Sequence, residues 1–128
     1  MVFGMATTAF ASNMDFNFTM NPGGASDYSY ATYKSDGENA WYVTPKSYLN
    51  GVYSDWINGE TVRFRVRFDS DRSAASSLYS RTSPNYGTTF HYAYTDSTPT
   101  YGIYYRLYAD KPSGDPYGTC HLVGTWCP

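Results

Sequence analysis

The sequence predicts an all-β fold, a single antiparallel β-sandwich of about seven strands. Three observations predict it. Apolar residues recur mostly at every second position. Turn residues separate these runs at short intervals. The chain of 128 residues has length for one domain and hardly more.

The strand candidates follow in chain order. Residues 14–20 put Met14, Phe16, Phe18 and Met20 on one face. Residues 41–44 form a short β-rich run that Pro45 is expected to stop. Residues 62–68 give the cleanest alternation, with Val62, Phe64, Val66 and Phe68 inward and Arg63, Arg65 and Arg67 outward. Residues 77–82 are a weaker candidate. Residues 89–94 align Phe90, Tyr92 and Tyr94, which leaves His91 facing solvent. Residues 103–109 align Ile103, Tyr105, Leu107 and Ala109 inward and Tyr104, Arg106 and Tyr108 outward. Residues 119–126 close the chain, with Leu122, Gly124 and Trp126 opposed to His121, Val123 and Thr125.

Turn chemistry fills the gaps, at residues 21–24, 35–37, Asn50-Gly51, Asn58-Gly59, 84–87, 96–99 and 111–118. Residues 70–78 are too short and Ser-rich for a stable helix, so a single turn is the most expected there.

Composition excludes several classes. No apolar run reaches the roughly 18 residues of a membrane-spanning helix. Fifteen Tyr, seven Phe and three Trp are too many rings for a disordered chain. Nine basic against eleven acidic residues give a net charge of -2, so no global field holds a nucleic-acid backbone. Residues 1–11 are small and apolar and end in Ala9-Phe10-Ala11, a small-x-small cleavage pattern. They read as the remnant of a secretion signal without its basic start, since the first Lys is Lys34. On that reading residues 12–128 are the folded domain and the protein is secreted.

An oxidising compartment favours a bridge between Cys120 and Cys127. One continuous strand would hold their Cα atoms about 23 Å apart, beyond the roughly 7 Å limit of a disulfide. A bridge therefore requires a tight turn near Val123 and Gly124, and the sequence leaves both outcomes open.

Several of these features occur together: the Ala-Phe-Ala11 signal, the Phe16-Asn-Phe18-Thr strand, Lys34-Ser-Asp-Gly-Glu38, Trp41-Tyr-Val-Thr-Pro45, the Arg-alternating strand and the terminal Gly124-Thr-Trp126-Cys-Pro128. The combination resembles small exported β-proteins of Gram-positive bacteria, a domain family with no assigned activity. Cys127 departs from its Gly-x-Trp-x-Pro ending, where a small polar residue is usual. The resemblance implies export and a β fold and lends no catalytic residues. Some small exported proteins of this size are bacteriocin-like, which implies an effector acting on another cell.

No nucleophile, zinc, phosphate or dinucleotide motif is present, so no enzyme, metal site or cofactor is expected. Cys120 and His121 are strand neighbours and face opposite sides, which disfavours a dyad. Asp36 with Glu38, and Asp69 with Asp71, offer oxygens to Ca²⁺ or, more simply, cap turns. The Arg63, Arg65 and Arg67 stripe, at a spacing of about 7 Å, needs either internal Asp, Glu or Tyr partners or an external anion such as a wall-polymer phosphate. Twenty-five aromatic rings exceed what the core of a sandwich this size holds, so Tyr104, Tyr108, Trp56 and the Tyr28–Tyr33 and Tyr48–Tyr53 clusters are candidate contact surfaces.

These readings give three expected functions. The first is non-catalytic binding at a cell surface, with a bacteriocin-like variant. The second is a carbohydrate-binding module with a flat platform built from Trp41, Trp56 or the tyrosine clusters. The third is a small hydrolase with paired carboxylates. The expected partner is a cell-envelope or polysaccharide ligand.

Overall fold

The computed structural model describes residues 13–23, 27–95 and 102–128. Residues 1–11, expected to be a signal remnant, the end of the first turn and the turn expected at 96–99 lie outside them. The order is β1 (Met14–Met20), β2 (Asp27–Tyr28), β3 (Thr32–Tyr33), β4 (Trp41–Lys46), β5 (Tyr48–Leu49), β6 (Val52–Tyr53), β7 (Thr61–Phe68), β8 (Tyr79–Thr82), β9 (Phe90–Tyr92), β10 (Tyr104–Asp110) and β11 (Cys120–Cys127). Every strand of three or more residues falls on one of the seven expected segments. The two-residue strands β2, β3, β5 and β6 carry no detectable period, which is why the described residues hold eleven strands.

All strand pairs are antiparallel. One sheet has the order β1-β11-β4-β9. The other has the order β2-β10-β7-β8, with β3 also on β10, and β5 and β6 form a separate hairpin. The arrangement is consistent with a β-sandwich. A single core cluster draws on both sheets. Phe16, Phe18, Met20, Trp41, Val43, Leu122 and Trp126 come from the first, and Val62, Phe64, Val66, Tyr105, Leu107 and Ala109 from the second. The rings of Phe64 and Phe90 meet across the sheets at 5.4 Å, and those of Tyr79 and Tyr92 stack at 4.1 Å. The alternation expected for residues 62–68 holds: Val62, Phe64 and Val66 are fully buried, and the three arginines are half-buried.

Three local results depart from the alternation alone. Pro45 does not stop its strand, since β4 runs to Lys46. The Pro45 carbonyl accepts the Gly87 N–H at 2.8 Å, and in a strand a residue's N and C=O face the same side. That side lies beyond the end of β9, which pairs only Trp41 to Val43, so no ladder bond is lost. Val123, expected on the solvated face, is buried. Ser54, at the foot of the β5–β6 hairpin, accepts its N–H at 2.9 Å, and both hairpin strands pack on β11. Asn50 and Gly51 both have positive φ, 50° and 82°, which is what a two-residue hairpin turn demands.

Cys120 and Cys127 lie at opposite ends of one unbroken strand. The turn that a mutual bridge needs is absent, so the candidate disulfide is corrected: the two are not bridged. Residues 70–78 form turns and an isolated bridge from Ala74 to Arg67.

Candidate functional site

The outer face of the second sheet collects most of the residues singled out by sequence. Alternation sends Arg63, Arg65 and Arg67 of β7 outward, and likewise Tyr104, Arg106, Tyr108 and Asp110 of β10. Register then sets Asp110 opposite Arg63, Tyr108 opposite Arg65, and Arg106 opposite Arg67. Across the other edge of β10, Tyr28 sits opposite Tyr108 and Tyr33 opposite Tyr104. These ring pairs meet edge-on at 5.3 and 5.4 Å. The result is a ladder of guanidinium groups and phenol rings.

Most of the positive charge is answered internally. Arg63 donates Nε and a terminal nitrogen to the two Asp110 oxygens at 2.6 and 2.9 Å, a forked pairing. Asp110 also accepts the Tyr108 hydroxyl at 2.7 Å. Arg106 donates to Asp69 at 2.5 Å and to the Ser29 carbonyl at 3.2 Å. Arg72 reaches the same Asp69 at 2.8 Å. Arg67 lies 4.6 Å over the Tyr108 ring and donates to the Arg72 carbonyl at 2.7 Å.

Arg65 is the exception. It stands in the middle of the stripe, and its Nε is buried with no hydrogen-bond partner among the described residues. No carboxylate among the described residues pairs with it. The two carboxylates on this face are spoken for, Asp110 by Arg63 and Asp69 by Arg106 and Arg72. Asp69, a candidate calcium ligand or turn cap by sequence, instead pairs with Arg106 and Arg72; Asp110 is not among the candidates, although it extends the beat of Tyr104, Arg106 and Tyr108 by one step.

The hydrogen bonds from Arg106, then Arg72, hold the Asp69 carboxyl below its ordinary value of 3.8. A depressed carboxyl adds stability above its unfolded pKa and loses it as pH falls through the folded one. An Asp69→Asn variant should therefore lose less stability than the parent on acidification below the ordinary Asp range. Urea midpoints measured above and below that range would show it, and equal acid losses in the two proteins would refute it.

Other candidates are not part of this face. Trp56 is 1% exposed, donates its indole N–H to the Glu60 carbonyl at 2.8 Å and packs on Phe64. Trp41 and Trp126 are buried too. Trp56 is corrected from a contact residue to a core residue: its ring packs on Phe64, and its indole N–H ties it to the Glu60 turn. Tyr48 and Tyr53 are exposed on the β5–β6 hairpin with rings 4.7 Å apart and tilted by 50°. Asp71 caps the Ser73 N–H at 2.9 Å, and Asp36 accepts from Lys34 and from the Glu38 N–H, so both acidic loops are turn caps. No group of three metal-binding side chains occurs among the described residues.

Cys120 is fully buried, and burial pushes its thiol up to about 12, so it is protonated at neutral pH. His121 faces outward and meets the Thr19 hydroxyl at 3.2 Å. A cavity of about 500 Å³ opens where β1 passes the 28–30 segment. Its lining includes Phe16, Asn17, Tyr28, Tyr30 and Arg106, and no carboxylate.

No protein-family model, curated protein or solved structure matches this chain.

Proposed function

We propose that the protein is a non-catalytic binding domain that acts outside the cell and engages an anionic polymer at a cell surface. The contact surface is the Arg–Tyr face of β7 and β10. A single observation supports this reading most: among the described residues Arg65 has no hydrogen-bond or ion-pair partner, at the centre of a stripe whose neighbours Arg63 and Arg67 each have one. A guanidinium so placed gains most from an external phosphate or carboxylate, which it can meet in two parallel hydrogen bonds. Tyr104, 52% exposed, offers ring surface on the same face of β10, two outward positions from the Tyr108 that stands opposite Arg65. A wall-polymer phosphate, a repeating anion on a flexible chain, fits a row of donors spaced by about 7 Å. In the bacteriocin-like variant the same face would meet the envelope of another cell.

The sugar-platform reading has less support. A platform needs coplanar exposed rings, and the outer pairs are crossed at 62° and 65°. The most nearly parallel pair, Tyr79 with Tyr92 at 9°, lies against the core.

The test is co-sedimentation of the folded chain with a phosphodiester wall polymer across a salt series. Binding should weaken as salt rises. Arg65→Gln should weaken it by about 10- to 100-fold, since a charged hydrogen bond contributes roughly 1.5–3 kcal/mol. Equal binding by Arg65→Gln and parent would overturn the assignment. Loss of binding in Tyr104→Ala alone, with Arg65→Gln unaffected, would favour the sugar reading instead.

A further inference from the structure

A second constellation lies away from the Arg–Tyr face, at the exit of β10. The Lys111 side chain is 0% exposed, and two carboxylates share it. Glu60 bonds Nζ directly, and Asp115 approaches it at 3.5 Å. Both carboxylate side chains are only 3% exposed. The Gly118 carbonyl is a third acceptor at 2.6 Å. An ordinary buried ion pair sets one carboxylate against one ammonium. Here a dry pocket holds two, and each is fixed by a backbone donor. Oε2 of Glu60 accepts the Ile57 N–H at 3.1 Å, and Oδ1 of Asp115 accepts the Tyr117 N–H at 2.8 Å.

We propose that Lys111 and Glu60 condense to an intramolecular amide cross-link, with Asp115 carrying the protons. Burial opposes the Lys111 ammonium, but the hydrogen bond and charge of Glu60 more than restore it, so Lys111 rests as the ammonium. The chemistry balances without an oxidant or a co-reactant. Asp115 takes one proton from Nζ, which leaves the local net charge unchanged. Asp115 passes that proton to Oε1, which makes Glu60 a neutral acid. The freed amine attacks its Cδ, and Oε2 carries the developing negative charge towards the Ile57 N–H. Asp115 then carries a second proton from the attacking nitrogen to the Oε1 hydroxyl. The Cδ–Oε1 bond breaks, and that oxygen leaves as water with two protons that began on Nζ. An N–C bond has replaced a C–O bond, and the remaining amide N–H is left to donate to Gly118. Three features favour the step: the reacting groups are held in contact, water is excluded, and a buried ion pair is replaced by a neutral group. The link would tie the turn before β7 to the loop after β10.

The test is the mass of the full chain, unfolded and with its thiols reduced, followed by a protease map. The parent should be one water lighter than its sequence, with one branched peptide joining the Glu60 and Lys111 side chains. Asp115→Asn should have its full sequence mass, with both partners present but unlinked. A parent at full sequence mass would overturn the proposal. So would a water loss mapped to a Lys111–Asp115 link, or to Asp36-Gly37, where an aspartate can cyclise on its own backbone. A cross-link that survives in Asp115→Asn would overturn the role given to Asp115. The outcome is independent of whether Arg65 binds anything.

Discussion

A Phe64→Asp variant leaves no folded population under conditions where the parent is fully folded. Phe64 is completely buried at the centre of β7, with ring centroids of Trp56 and Phe90 at 6.0 and 5.4 Å. Removing such a ring costs about 3–5 kcal/mol in transfer and cavity terms. A carboxylate in its place must be buried charged or protonated, at several further kcal/mol. Total stability of a domain this size is about 5–15 kcal/mol, so the sum consumes most or all of it. Near-ultraviolet circular dichroism of the aromatic core should collapse to the unfolded signal. A variant with the parent's melting temperature would show that the inward phase of β7 is wrong.

Gly124→Val should be the second most damaging change. Gly124 sits in β11 between Phe16 of β1 and Pro45 of β4. A Cβ there would meet the Thr44 carbonyl oxygen at 2.5 Å and the Phe16 ring at 2.7 Å. The oxygen belongs to backbone, so β11 and β4 would have to part. The ring is pinned by stacking on Phe18 at 4.6 Å. Overpacking a core costs about 1–3 kcal/mol when side chains can give way. Here backbone must move as well, so the loss should reach or exceed the top of that range. A urea titration measures it, and a shift within error of zero would contradict the packing described for this strand.

The two cases show what the sequence displays and what it hides. The phase of β7 is legible because four apolar residues and three arginines alternate without a break, so a one-residue slip would bury every charge. Gly124 is harder to read. Its place in the alternation gives the face it points to, but only the packing shows that the Phe16 ring fills the space of its missing side chain. Val123 and Trp56 are hidden because the 47–57 segment carries only two-residue strands. Val123 is covered by the β5–β6 hairpin, and Trp56 turns in onto Phe64. Pro45 depends on where β9 ends, which is a fact about a partner strand.

The Arg–Tyr face was half legible. Period two places Arg63, Arg65, Arg67, Tyr104 and Tyr108 outward. It cannot give the register that sets Asp110 against Arg63 and leaves Arg65 without a carboxylate. That distinction separates a satisfied surface from a candidate site. It arises from the β7–β10 pairing and from Asp69, which reaches Arg106 from the loop after β7.

The most direct test of the central claim is a backbone-resonance titration of the labelled protein with a phosphodiester wall polymer. The account predicts that shifts concentrate on β7 and β10 around Arg65 and Tyr108, and fade in Arg65→Gln. Shifts confined to the opposite sheet or to the Tyr48 and Tyr53 hairpin, or an unchanged pattern in Arg65→Gln, would contradict it.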